Sequence, residues 1–268
     1  MENKKIYTAI RKGALFALLA LIVLLELAFR SFNDKLNMTE DFYLTASRVL
    51  GGLACVVFMI EFSFHRVFSP LGNKKWLMLI AILPAFVISV NNFPFVSFLS
   101  GDCSMNAEVA EILWYAFICL SVGFFEEMAF RGCALMYFLK KRTDTRLGIF
   151  LAIALSSCAF GLVHLVNIFT SSFGAVIRQI GYSALIGALC SVVLLATGNI
   201  WLCVLCHAAY NFCGGLIDRF GTGEMWTAWQ IAFTAVVAVI VTAYTVWLFF
   251  KIPLSNAKDI FKASTKEE

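Results

Sequence analysis

The chain predicts an all-α, polytopic transmembrane helical bundle of about eight spans with both termini in the cytoplasm, and three observations carry that prediction. Its 268 residues are 61% hydrophobic and 14% charged, with a mean hydropathy of +0.85; a soluble domain is roughly half apolar and a quarter charged. The apolar residues form continuous runs rich in Leu, Phe, Ala and Ile, not the short alternating segments of an outer-membrane barrel, and helices are the remaining way to span a bilayer. The lysines and arginines gather in alternate loops, as cytoplasmic loops do.

The runs fall at 13–29, 43–62, 76–95, 109–139, 147–169, 177–197, 200–217 and 226–250. At about 20 residues per crossing they occupy most of the chain, so no separate soluble domain is expected. A basic segment, Met1 to Lys12, precedes the first run and resembles a signal peptide. That run ends in Glu26 and Arg30 without a small-residue cleavage pattern, so it reads as a retained span. The fourth run would measure about 45 Å as one helix. It must tilt, break near Gly123 or Gly132, or project from the bilayer. Only Thr197-Gly198-Asn199 separates runs six and seven, which must form an antiparallel hairpin. The organisation expected is residues 1–108 as three amino-terminal spans, 109–217 as a helical core carrying the chemistry, and 218–268 as a last span and cytoplasmic tail.

With eight spans, Lys4, Lys5, Arg11, Lys12, Arg66, Lys74, Lys75, Lys140, Lys141, Arg142, Arg146 and the carboxy-terminal lysines share one side. Arg30, Lys35, Arg178 and Arg219 lie on the other with Asp34, Glu40, Asp41, Asp102, Glu108, Asp218 and Glu224. The net charge of +4 is dispersed, which argues against a nucleic-acid partner. Eight of the nine cysteines sit inside apolar runs, where free thiols pack as small hydrophobes. No internal repeat is visible, which argues mildly against an inverted-repeat transporter.

Ionisable residues are costly in a bilayer core, so each needs a partner or a purpose. Glu26 and Arg30 are spaced to pair on one helix face, and Arg48 and Glu61 lie within reach of the headgroups. Glu126 and Glu127 are adjacent inside an apolar helix. Glu127 and Arg131 stand at i and i+4 and can pair, whereas Glu126 is turned about 100° away and is free to face a polar cavity. Of the three histidines, His65 neighbours a basic loop, while His164 and His207 fall within runs five and seven. Phe160 precedes His164 by one turn and would pack its ring; Asn211 follows His207 by one turn and offers an amide to the same cavity. Cys203-Val-Leu-Cys206-His207 matches a c-type haem attachment spacing, but it begins an apolar span after a cytoplasmic hairpin, so haem is set aside.

These are parts for activating water. In a metal version, His164, His207 and Glu126 form a His2Glu set for zinc with an open position. In a metal-free version, Glu126 takes a proton from water with His164 assisting, and His207 and Asn211 donate hydrogen bonds to a developing oxyanion. Glu126-Glu127-x-x-x-Arg131, Phe160-x-x-x-His164 and His207-x-x-x-Asn211, in this order on separate helices, resemble the three motifs of the CAAX protease and bacteriocin-processing (CPBP, or Abi) family of intramembrane endopeptidases, over roughly residues 115–217. The resemblance implies Glu126 as the water-activating base, His164 as its partner, His207 and Asn211 as the oxyanion site, and Glu127, Arg131 and Phe160 in support. The glutamate-based version is favoured, with no cofactor and zinc as the alternative.

The expected partners are the lipid bilayer and a membrane-associated peptide or protein substrate; a prenylated substrate is the minority reading. The compact loops and Lys-rich amino terminus look bacterial, which suggests the plasma membrane. Two rivals stand beside the protease: a non-catalytic bacteriocin immunity or scaffold protein of the same fold, and a proton-coupled transporter in which the carboxylates and histidines form a relay. One depth is discordant. At 1.5 Å per residue, Glu126 lies about 21 Å from Lys140 and His164 about 27 Å from Arg146, but His207 lies only about 12 Å from Asn199.

Overall fold

The computed structural model describes residues 39–69, 75–169 and 171–262, the side chains of 75–79 excepted, together with four isolated positions near the amino terminus. Its helices are α1 (Glu40–Glu61), α2 (Lys75–Asn91), α3 (Phe95–Ser100), α4 (Val109–Glu127), α5 (Met136–Leu139), α6 (Arg146–Val163), α7 (Phe173–Thr197), α8 (Ile200–Phe220), α9 (Ala228–Lys251) and α10 (Leu254–Asp259). A π-helical stretch, Met128–Leu135, joins α4 to α5, and a 3₁₀ turn, His164–Phe169, extends α6. The protein is thus an all-α polytopic bundle. Among the described residues six helices are long and apolar enough to cross a membrane: α1, the continuous helix Val109–Leu139, α6 with its turn, α7, α8 and α9. The third predicted span is the shorter α2, whose apolar part is Ile80–Asn91. The first predicted span, with Glu26 and Arg30, falls almost wholly outside the described residues.

The helices begin where the sequence supplies a cap. Glu108 and Glu111 form a reciprocal capping box at α4. Thr145, Ser172, Asn199 and Thr227 each accept a backbone N–H of the first turn of α6, α7, α8 and α9, satisfying donors that a bilayer would otherwise leave unpaired. The long fourth run does not break. It absorbs an extra residue per turn in the π-helical stretch, where α-type pairing lapses, and Ser156 Oγ of α6 donates to the Phe130 carbonyl there at 2.8 Å.

Side-chain contacts sort the loops into two ends. At the acidic end Arg219 pairs with Asp41, and a short antiparallel ribbon joins β1 (Cys103–Met105) to β2 (Gly221–Gly223), with Cys103 opposite Gly223. Three-residue strands carry too little pattern to be read from sequence. At the basic end Lys258 meets Asp144 at 2.8 Å, and Arg146 donates to the Phe249 carbonyl at 2.6 Å. The α7–α8 hairpin turns through Gly198 in the left-handed conformation, φ +67°. It does so below this surface: Asn256 of α10 donates to the Leu195 carbonyl at 3.1 Å, and Val193, Leu194, Thr197 and Ile200 are buried. This recess accounts for the shallow position of His207 relative to Asn199.

The outer surface is apolar. Helix α9 exposes Val236, Val239, Ile240, Trp247 and Phe250, a stripe that water would penalise and hydrocarbon accepts. Arg48 does not simply reach for headgroups; its guanidinium lies over the Phe125 ring at 5.1 Å. None of the cysteines is in a disulfide; Cys158 is exposed and Cys213 half-buried, while the others are buried.

Inside the bundle, Gly123 sets the approach of α4 to α8. A Cβ at that position would lie 2.9 Å from the Val204 carbonyl oxygen and 3.1 Å from the Ala208 nitrogen, both backbone atoms, so only a glycine allows this crossing. Gly123→Val is expected to lower stability by about 1–3 kcal/mol, read by thermal unfolding in detergent. Gly181→Ala, where a Cβ meets nothing within 4 Å, is expected to raise it by about 0.5–1 kcal/mol.

Candidate active site

One turn beyond Gly123, α4 presents Glu126 and Glu127 on faces about 100° apart. Glu127 is fully buried, at 0% exposure, and Glu126 is 15% exposed. Glu127 Oε1 is ion-paired with Arg131, 3.1 Å from its Nη1, and hydrogen-bonded to His207 Nδ1 at 2.7 Å. A carboxylate on Nδ1 makes that nitrogen the donor and turns Nε2 toward Glu126, whose Oε2 lies 3.4 Å away. His207 therefore lies between the two carboxylates, hydrogen-bonded to Glu127 and beside Glu126. The predicted i, i+4 pairing of Glu127 with Arg131 is present; the Glu127–His207 bond, between helices far apart in sequence, is an addition that spacing could not reveal.

Phe160 holds the cluster together. The Arg131 guanidinium lies over its ring at 4.5 Å, and its edge contacts reach His164 at 5.5 Å and His207 at 5.6 Å between ring centroids. Gly187 of α7 leaves room for this stack: a Cβ there would meet Arg131 Nη2 at 3.0 Å and Phe160 Cδ1 at 3.3 Å. His164 opens the 3₁₀ turn at the end of α6, and that turn is tied to α7 by Asn167 Nδ2 donating to Gln179 Oε1 at 2.9 Å.

The four predicted reactive side chains meet at one space. Glu126, His164, His207 and Asn211 line a cavity of about 180 Å³, together with Phe160. Gln179, Tyr182 and Ser183 of α7 and Tyr210 of α8 complete its polar wall. The α7 contribution was missed from sequence, although a polar stripe at i, i+3 and i+4 in an apolar span is the signal that could have found it. The segment carrying His207 and Asn211 is fixed from outside by hydrogen bonds to its carbonyls. Ser89 Oγ donates to Cys206 at 2.8 Å, Asn92 Nδ2 to Tyr210 at 2.9 Å and Tyr115 OH to Asn211 at 3.3 Å.

The closest grouping of metal-ligating side chains found among the described residues is Glu127, Cys190 and Cys203, whose ligand atoms lie within 4.8 Å of one another. Its chemistry is better explained by packing, since Cys203 Sγ donates to the Cys190 carbonyl at 3.2 Å. Glu126, His164 and His207 do not form so tight a grouping.

Residues 108–213 match the family model described as Type II CAAX prenyl endopeptidase Rce1-like. The matched stretch contains all three motifs, so the resemblance read from them is supported by an independent comparison over α4 to α8. Comparisons with curated proteins and with solved structures returned no match.

Arg131→Met should cost about 3–5 kcal/mol because it leaves the Glu127 carboxylate buried without its cation. The double variant Glu127→Gln/Arg131→Met is expected to recover most of that loss in chemical denaturation, since no net charge then remains inside.

Proposed function

We propose that this multi-pass membrane protein is an intramembrane endopeptidase of the CAAX type that hydrolyses a peptide bond of a membrane-associated peptide or protein with glutamate-activated water. The observation that carries the reading is the convergence of Glu126, His164, His207 and Asn211, from three separate helices, on one partly polar cavity. The family match supports the protease class, and the mechanism below is our own reading of the arrangement.

Glu126, the carboxylate in contact with the cavity, takes a proton from water while His164 assists. Attack on the scissile carbonyl carbon moves electron density onto its oxygen, where the Asn211 amide and His207 donate hydrogen bonds. Glu127 holds the other imidazole nitrogen, so the ring is oriented before the substrate arrives. Collapse of the tetrahedral intermediate breaks the C–N bond, and the proton held by Glu126 passes to the departing amine. Donors fixed by folding act with little reorganisation in a dry bundle, where each electrostatic contact is stronger than in water.

Glu126→Gln keeps shape and removes basicity. At matched membrane levels it is expected to lower peptide release by about 10²–10⁴-fold, measured by comparing peptides from cells making each form. An unchanged profile would instead favour the immunity or scaffold reading. Asn211→Ala should lower turnover by about 10²–10³-fold with a smaller effect on KM. Elemental analysis tests the metal-free version: stoichiometric zinc lost on combining His164→Ala with His207→Ala would replace it with the His2Glu version.

A further inference from the structure

Four long helices wall the cavity, and three of them carry the side chains assigned above to water and the oxyanion. The fourth is α7. It presents Gln179, Tyr182, Ser183 and Ile186 to the cavity, positions i, i+3, i+4 and i+7 that fall on one helix face. The chemistry proposed above uses none of them, yet three are polar, and a polar side chain inside a membrane bundle is retained for a partner or a purpose.

The reaction also needs a hold on its substrate. A peptide bond has to be presented in an extended segment before water can attack it, and such a segment brings its own N–H and C=O groups out of water. Each one left unpaired in an apolar bundle costs several kcal/mol. With Glu126, His164, His207 and Asn211 committed, the polar side chains left to meet that main chain are Gln179, Tyr182 and Ser183 of α7 and Tyr210 of α8, whose ring lies 6.2 Å from that of Tyr182.

Gln179 is held in one orientation. Its Oε1 accepts from Asn167 Nδ2 at 2.9 Å. Asn167 lies in the 3₁₀ turn that His164 opens, three residues further on, and side chains at that spacing eclipse one another in such a turn. The tie therefore sets Gln179 against the edge of the turn that carries His164. With its oxygen engaged, the carboxamide has two N–H groups to give, and it gives them beside the cavity that Gln179 lines. We propose that Gln179 binds a main-chain carbonyl of the substrate next to the scissile bond, with Asn167 as the positioning residue that turns those N–H groups inward. The ligand class is an extended peptide held by its backbone; α4, α6 and α8 supply the reaction and α7 the grip. What happens to the bound peptide rests on the protease reading; the binding itself does not.

Asn167→Asp separates this role from a structural one. A carboxylate only accepts, so to keep the tie the Gln179 amide must turn over, giving its N–H groups to the new carboxylate and its oxygen to the cavity. Gln179→Met removes the amide at nearly constant size. Full-length protein in liposomes of phosphatidylethanolamine and phosphatidylglycerol is offered a library of short peptides that each carry one acyl chain. Retention is read by mass spectrometry in the Glu126→Gln background, and hydrolysis with Glu126 in place. Asn167→Asp and Gln179→Met are each expected to weaken retention about tenfold, the worth of one hydrogen bond, and to raise KM by a similar factor with kcat nearly unchanged. The double variant should bind no worse than Gln179→Met alone, because no amide is left to turn. Wild-type retention by Asn167→Asp overturns the proposal and leaves Gln179 as a tie between α7 and the turn. A loss confined to kcat overturns it too, as does a library of which nothing is retained. Retention that depends on Gln179 without cleavage of any retained peptide keeps the binding role and removes the protease reading.

Discussion

The structure is organised around one charged group that cannot be left alone. Glu127 is fully buried in a membrane bundle, where an isolated carboxylate would cost several kcal/mol; its Oε1 is ion-paired with Arg131 at 3.1 Å and hydrogen-bonded to His207 at 2.7 Å, while its Oε2 has no hydrogen-bond partner among the described residues. Each partner then imposes its own requirement. Arg131 needs a surface for its guanidinium and finds it on Phe160; Phe160 in turn contacts both imidazoles. His207, with one nitrogen committed, directs the other at the cavity. The neighbouring Glu126, on a helix face about 100° from that of Glu127, is 15% exposed and lines the cavity.

Such a cluster forms only if three helices come close together. Gly123 permits the α4–α8 crossing, and Gly187 permits the guanidinium to lie between α7 and Phe160. In a bilayer, where lipid tails compete equally for apolar surface, close packing at small residues is a principal source of helix association. The π-helical stretch that carries Arg131 is a deviation of the kind often found beside functional sites. Its Phe130 carbonyl is paired by a serine from α6 rather than left exposed to hydrocarbon.

The two ends of the bundle differ as much as its core and surface do. One is a dense apolar layer under basic loops, covered by the recessed hairpin and α10; the other bears the acids and the short ribbon.

Much of this was legible in the sequence, because in a membrane hydropathy and charge are direct consequences of solvent. Continuous apolar runs gave the helical class, and the i, i+4 spacings gave Glu127 with Arg131 and placed Glu126 on another face. The same spacings put Phe160 beside His164 and Asn211 beside His207, since neighbours one turn apart are fixed by helix geometry alone. Long-range relations were not legible. No local pattern states that His207 will bond Glu127, that α7 will supply Gln179 and Tyr182, or that the Gly198 turn will be recessed beneath α10. Those follow from which helix faces meet, and that is decided by close packing at particular glycines and by the need to neutralise a buried charge, both of which exist only once the helices are assembled.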